Sequence, residues 1–459
     1  MEHIKSQAAT VAKSQTHARY WIVAMLFIIT SVNYGDRATL SIVGDPMSHA
    51  LGISSVAMGF IFSGFSWAYV IGQIPGGLLL DKFGSKKVYL VSIITWSIFT
   101  FAQGFITLFP GASVIAVLFL LRFLVGICES PAFPGNSRVV AAWFPAQERG
   151  TASAIFNSAQ YFATVIFAPI MGWLTHSFGW HHVFFFMGII GFIAAFMWQK
   201  VIYPPNQHPH VNKAELKYLE DGGALINMDK KVDPKAAKAE KTTDEPVVSK
   251  GQAIKELMSS RMMLGIYLGQ YCVNGMTYFF LTWFPVYLVQ ARGMSILQAG
   301  FVAAIPAICG FLGGISGGVI SDFLLARGLS LTWARKTPII CGMLLSTSMV
   351  VCNYVDTQWL IVAFMALSFF GKGVGALGWA VMSDTAPKEV AGLSGGIFNT
   401  IGNLAGIITP ITIGYIIATT GSYNGALVYV GIHALVAIFS YVFIVGKIQR
   451  MKLSPALAV

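Results

Sequence analysis

Asn33-Tyr34-Gly35-Asp36-Arg37 interrupts an apolar run that extends from Tyr20 to about Val43. A run of that length crosses a bilayer as a helix. An acid and a base inside such a helix are costly and mark ion or substrate paths. Neighbouring residues on a helix point about 100° apart. Asp36 and Arg37 therefore do not simply neutralise each other, and each needs its own partner. Arg37 shares a face with Asn33 and Tyr34. The competing explanation is a structural ion pair that locks two helices together.

Composition points to a membrane protein. Of 459 residues, 55% are hydrophobic and 11% charged, and the mean hydropathy is +0.67. A soluble chain carries about 25% charged residues. The net charge of +11 reads as a basic cytoplasmic rim rather than a nucleic-acid surface. Cys128, Cys272, Cys309, Cys341 and Cys352 fall in apolar runs without metal-type spacing, so free thiols are expected. The first twenty residues lack the pattern of a cleaved signal peptide.

Twelve apolar runs lie near 20–43, 56–80, 88–107, 113–134, 150–175, 182–202, 262–290, 297–324, 337–354, 358–383, 389–417 and 424–446. Lys82, Lys86, Lys87, Arg138, Arg149, Arg327, Arg335, Lys336 and Lys388 fall in short loops on one side. That side also holds both tails, with Lys5, Lys13, Arg19, Lys447, Arg450 and Lys452. The positive-inside rule then places both termini in the cytoplasm. A polar segment from about Tyr203 to Ser259 is too charged to bury a core. It is expected to be a mobile cytoplasmic linker with one short amphipathic helix at 212–219. The expected organisation is an N-terminal six-helix bundle (1–202), a cytoplasmic linker (203–259) and a C-terminal six-helix bundle (260–459).

The halves repeat. Pro145, Gly150, Ile155, Phe156 and Asn157 recur as Pro387, Gly392, Ile397, Phe398 and Asn399, and Gly77 and Asp81 recur as Gly318 and Asp322. Parallel repeats place a substrate site at the midplane between them.

Gly77-x-x-x-Asp81-x-x-Gly84-x-Lys86-Lys87 resembles the cytoplasmic signature of the major facilitator superfamily. The resemblance implies an all-α fold of twelve transmembrane helices in two six-helix repeats. It also implies a cytoplasmic gate at Gly77, Asp81, Gly84, Lys86 and Lys87, with Asp322 as the repeat counterpart. Asn33–Leu40, Gln73-Ile74-Pro75-Gly76-Gly77, Glu129-Ser130-Pro131-Ala132-Phe133-Pro134 and Ala142-Trp143-Phe144-Pro145-x-x-Glu148-Arg149 narrow it further. Together they resemble the anion:cation symporters, most nearly the bacterial glucarate/galactarate carriers. The family implies a proton-coupled symporter that imports a sugar diacid across the inner membrane by alternating access. A sugar monoacid such as galactonate or a hexuronate is the alternative. No cofactor is implied beyond the coupling protons, and a monomer in the lipid bilayer is the simplest expectation.

Spacing alone singles out further residues. Arg122 and Glu129, seven apart, share one helix face. Lys372 is the one intramembrane charge of the second half, and at the repeat offset it corresponds to Ser130, next to Glu129. Tyr69 and Gln73 share a face, as do Asn157 and Gln160, Gln270 and Asn274, and Asn399 and Asn403. Such polar residues also serve as glue between helices, worth about 1 kcal/mol. By resemblance to the galactonate-type carriers, Tyr34, Arg37, Tyr69, Gln160, Trp379 and Asn399 match substrate contacts, and Asp36 and Glu129 match proton-coupling positions. Arg122 joins the coupling set by charge, while Gln73 and Lys372 join the substrate set by position. Tyr278 and Trp283 are expected to be packing residues. No nucleophile, metal or cofactor motif supports an enzyme, and the two-repeat pattern counts against a channel or sensor.

Overall fold

A computed structural model of the chain describes residues 16–111, 113–145, 148–227, 250–387 and 390–453, and every element among them is helical. Lys5, Lys13, Lys388 and most of the charged stretch 229–255 lie outside the described residues, as does the side chain of Asp81. The first seven helices are α1 (Ala18–Leu51), α2 (Ser55–Phe83), α3 (Ser85–Gln103), α4 (Ser113–Glu129), α5 (Ala132–Trp143), α6 (Arg149–Phe178) and α7 (His181–Val201). The short α8 (Lys213–Asp221) and α9 (Lys250–Ser259) follow. Then come α10 (Arg261–Thr282), α11 (Phe284–Gln290), α12 (Ile296–Ala326), α13 (Leu331–Ser346), α14 (Gln358–Val374), α15 (Gly378–Thr385), α16 (Ala391–Asn403), α17 (Ala405–Thr420) and α18 (Asn424–Phe439).

Local chemistry sets these boundaries. Ser54 caps α2, and a reciprocal Ser295–Gln298 capping box starts α12. Pro131 has no amide hydrogen to donate, and the α4–α5 span breaks beside it. Gly375-Ala376-Leu377 breaks the α14–α15 span in the other half. Both broken spans carry an intramembrane charge just before the break, Glu129 and Lys372.

Nine stretches among the described residues are long and apolar enough to cross a membrane, or ten if α10 and α11, bent by 48°, form one span. The two remaining spans of the sequence reading are α1 and α3, with 34 and 19 residues. Both pack into the same bundle. They are less apolar because they carry Asn33, Asp36 and Arg37 in α1 and Ser92, Ser97, Thr100 and Gln103 in α3. The repeat is visible in the elements: α16 and α17 together are α6 shifted by 242 positions at both ends.

The face where α1 begins is here the terminal face, and successive spans alternate between it and the far face. The most extensive contacts between the halves among the described residues are made by two helix pairs, α2 with α17 and α6 with α12. They touch backbone to backbone near the far face. A Cβ on Gly59 would lie 2.6 Å from the Pro410 carbonyl oxygen, and one on Gly300 2.7 Å from that of Ala168. Toward the terminal face the pairs separate, and a Cβ on Gly77, Gly318 or Gly396 would meet nothing within 4 Å. The cleft between the halves is closed at the far face and opens at the terminal face.

The segment after α7 is not loose where it is described. Trp143 Nε1 donates to the Tyr203 carbonyl at 3.0 Å, and the Lys86 ammonium sits 3.1 Å from the centre of the Tyr203 ring. Arg149 donates to the Gly223 carbonyl at 2.6 Å, and Leu225 N–H to the Ala141 carbonyl at 2.9 Å. Asn212 caps α8. Glu215 is fully buried and accepts from the Thr16 hydroxyl, the backbone amides of Ala18 and Arg19, and the Arg19 guanidinium. Burial pushes the Glu215 carboxyl up, but these hydrogen bonds outweigh it and hold the group below the usual carboxylate range. Glu148 links the same cluster, taking Arg19 Nε at 3.0 Å and the Tyr218 hydroxyl at 2.6 Å. Composition suggested mobility because it counts charges without seeing their partners, which belong to the ends of α1 and α6.

Candidate functional site

α1 delivers Tyr34, Asp36 and Arg37 to the middle of the first half. Arg37 Nε donates to Glu129 Oε2 at 3.0 Å, and both side chains are buried. The pair has one point of contact rather than a fork. Arg37 Nη2 and Glu129 Oε1 have no hydrogen-bond partner. The guanidinium is held in place by three rings, with its centre 4.9 Å from Tyr34, 4.5 Å from Phe65 and 4.7 Å from Tyr69. Arginine stacks well on aromatic faces because it is planar and weakly hydrated. Removing one partner of a buried pair costs about 3–5 kcal/mol, so the pair persists until another group offers itself. Arg122 donates to the Arg37 carbonyl at 3.4 Å. Asp36 lies near Arg122, Thr100 and Glu129, yet neither carboxylate oxygen makes a hydrogen bond.

Lys372 approaches from the second half. It is buried, and its ammonium lies 4.9 Å from the Phe369 ring and 5.8 Å from the Tyr161 ring. No ion pair to it occurs among the described residues. It sits in the last turn of α14, where the helix dipole favours a cation. Beside it lies a small cavity of about 60 Å³ between the halves, lined in part by Tyr34, Gln160, Tyr161, Thr277, Phe280 and Phe369.

A polar bridge closes one side of the site. Asn399 donates to Gln73 at 3.1 Å across the halves, Asn403 donates to Asn399 at 3.0 Å, and the Tyr278 hydroxyl donates to Asn403 at 3.0 Å. Gln160 lines the cavity while bonding to the Asn157 carbonyl. Trp379 does not line this cavity. It is half exposed and packs edge-on against Phe398 at 4.8 Å, nearer the terminal face.

The residues expected to form a gate lie apart from the site. Gly84 turns the chain with φ 81°, which only glycine adopts readily. Lys87 is exposed, and Lys86 is engaged by Tyr203. Asp322 is 78% exposed and 3.7 Å from Arg335 of its own half, which binds Asp384 more tightly at 2.8 Å. Three residues were missed by sequence reasoning. Tyr161 forms the floor under Lys372. Asp384 anchors Arg335. Tyr278 belongs to the polar bridge rather than to packing alone, and its position four residues after Asn274 was the available signal. Trp283 is buried and donates to the Pro410 carbonyl at 3.0 Å.

The fold is that of a transporter built from two like halves around a central cleft, and the chain belongs to the major facilitator superfamily, whose profile it matches over residues 26–332. Among its relatives is GudP of Escherichia coli strain K12, described as a probable galactarate/D-glucarate transporter. It is 65% identical over 98% of this chain and 98% of its own length. GarP of the same strain, with the same description, is 55% identical over 96% and 98%. A D-galactonate transporter of Escherichia coli O6:H1 is 39% identical over 94% and 97%. Among solved structures, the xylose transporter XylE from E. coli aligns with a TM-score of 0.67 at 14% identity, covering 95% of this chain and 97% of XylE.

Proposed function

We propose that this protein imports a sugar diacid of the galactarate/D-glucarate kind across the bacterial inner membrane, with protons, by alternating access. The relatives named for those two diacids, alike over nearly the whole chain, carry the substrate class. The disposition of cations supports it. One carboxylate of the substrate would take Arg37, the other Lys372, so that each half grips one end of the molecule. In this reading residues 1–202 and 260–459 move as two bodies, both termini lie in the cytoplasm, and the cleft described above faces inward.

Coupling follows from the single-point pair. A proton on Glu129 releases Arg37, whose guanidinium then binds the substrate carboxylate bidentately. Asp36 and Arg122 adjust the charge around Glu129. Tyr34, Tyr69 and Gln160 orient the anion, and Gln73 with Asn399 holds the halves together beside it. Trp379 meets substrate on the way in or out rather than in the closed site. Gly77, Asp81, Gly84, Lys86 and Lys87, with Asp322, form the gate when the terminal face closes.

Uptake of labelled D-glucarate and D-galactonate into proteoliposomes, with and without a proton uncoupler, tests this. Uncoupler-sensitive accumulation of the diacid is expected. Preference for the monoacid, or indifference to the uncoupler, would overturn it.

A further inference from the structure

Behind the cleft, a row of buried polar side chains crosses the first half. Arg122, Glu129 and Asn136 recur at intervals of seven along α4 and α5, a spacing that keeps side chains on one face of a span. From α3 come Tyr89, Thr100 and Gln103, and from α1 come Thr30, Asn33 and Asp36. All are at most 3% exposed, and none lines the cavity between the halves. Asn136 donates to Thr30 at 3.0 Å with Tyr89 beside it, and Thr100 lies beside Asp36. Arg122 to Asn136 covers fourteen residues, about 21 Å of a hydrocarbon core of about 30 Å.

This row holds most of the unpaired buried side-chain atoms among the described residues. The described residues contain eighteen buried side-chain polar atoms without a partner, and eleven belong to Asn33, Asp36, Tyr89, Thr100, Gln103, Arg122, Glu129 and Asn136. Buried polar groups in native proteins find partners in protein or ordered water, and buried waters bridge such groups. Concentration of the unpaired atoms in one row offers water donors and acceptors on either side of two carboxylates.

We propose that this file is a water-bridged proton path inside the first half, separate from the substrate cleft. It rests on the proton-symport reading. Gln103 is the last residue of α3, so the file begins just beneath the far face. A hydronium ion arriving past Gln103 and Thr100 gives its proton to the Asp36 carboxylate and leaves as water. Asp36 hands the proton to Glu129, whose carboxylate becomes an acid and lets go of Arg37. Water beside Asn33 and Asn136 later takes that proton toward the terminal face, restoring the Glu129 carboxylate. Arg122, next to both acids, keeps either of them from holding the proton permanently. The route lets protons cross while the cleft is occupied by an anion.

Thr100 is the test position, because its unpaired hydroxyl lies beside Asp36 and valine has nearly the same shape. Two properties are measured in proteoliposomes: uncoupler-sensitive accumulation of labelled D-glucarate, and counterflow of labelled against unlabelled D-glucarate at equal pH. Thr100→Val is expected to lower accumulation about tenfold, the scale of one lost hydrogen bond to a bridging water, while counterflow stays intact. Thr100→Ser is expected to retain both. Normal accumulation by Thr100→Val, or equal loss of accumulation and counterflow, would overturn the path. Accumulation by the wild-type protein that ignores the uncoupler would instead remove the symport reading and the path with it.

Discussion

In the proposed mechanism, Glu129 and Arg37 concentrate the coupling chemistry in one contact of 3.0 Å. The residue proposed to change protonation is also the residue that occupies the cation proposed for the substrate. Glu129→Gln keeps the shape but offers no carboxylate to protonate. Accumulation driven by a proton gradient is expected to be lost, and substrate binding, measured by calorimetry, to be retained. Normal accumulation would remove Glu129 from the coupling role. The charged members of this site were legible in the sequence because charge inside an apolar run is conspicuous. Tyr161 and Tyr278 were not, since an aromatic residue in a membrane helix reads as packing until its ring is seen under Lys372 or its hydroxyl against Asn403.

Helix elements carry two further expectations. The far face is closed by α6 against α12, with Gly300 pressed on the Ala168 carbonyl. Backbone cannot yield there as a side chain would. Gly300→Val is therefore expected to disfavour this closed face by about 1–3 kcal/mol. Thiol labelling from the far face of a cysteine placed at Thr277 should rise, and unchanged labelling would contradict the closure described. The clasp of α8 makes the second expectation. Glu215 titrates below the usual range when folded. Its contribution is thus present at neutral pH and lost as pH falls through and below the ordinary glutamate value of about 4.3. A spin label on exposed Lys217 should become mobile on acidification in the native protein. In Glu215→Gln it should already be mobile at neutral pH. The sequence revealed the amphipathic pattern of α8 but not its docking, because Arg19 and Glu148 stand 196 and 67 positions from Glu215.

At the scale of the whole molecule, the two halves share one cleft but not one charge pattern. The repeat was readable from matched residues at a fixed offset, and the helix boundaries follow it. How the halves sit against each other was not readable, because it depends on backbone contacts at glycines and on the Gln73–Asn399 bridge. That arrangement bears on Lys372, a buried cation with no ion pair among the described residues, in the half opposite Arg37. A diacid that spans both would favour closure, since its binding energy is realised only when the halves approach. The most direct measurement is calorimetric binding of D-glucarate and of the matched monoacid D-gluconate to native protein and to Lys372→Asn. The account predicts that the substitution weakens diacid binding by about 1.5–3 kcal/mol, the scale of a charge-assisted hydrogen bond, and leaves the monoacid nearly unaffected. Equal losses for both ligands would contradict the bridging of one substrate by the two halves.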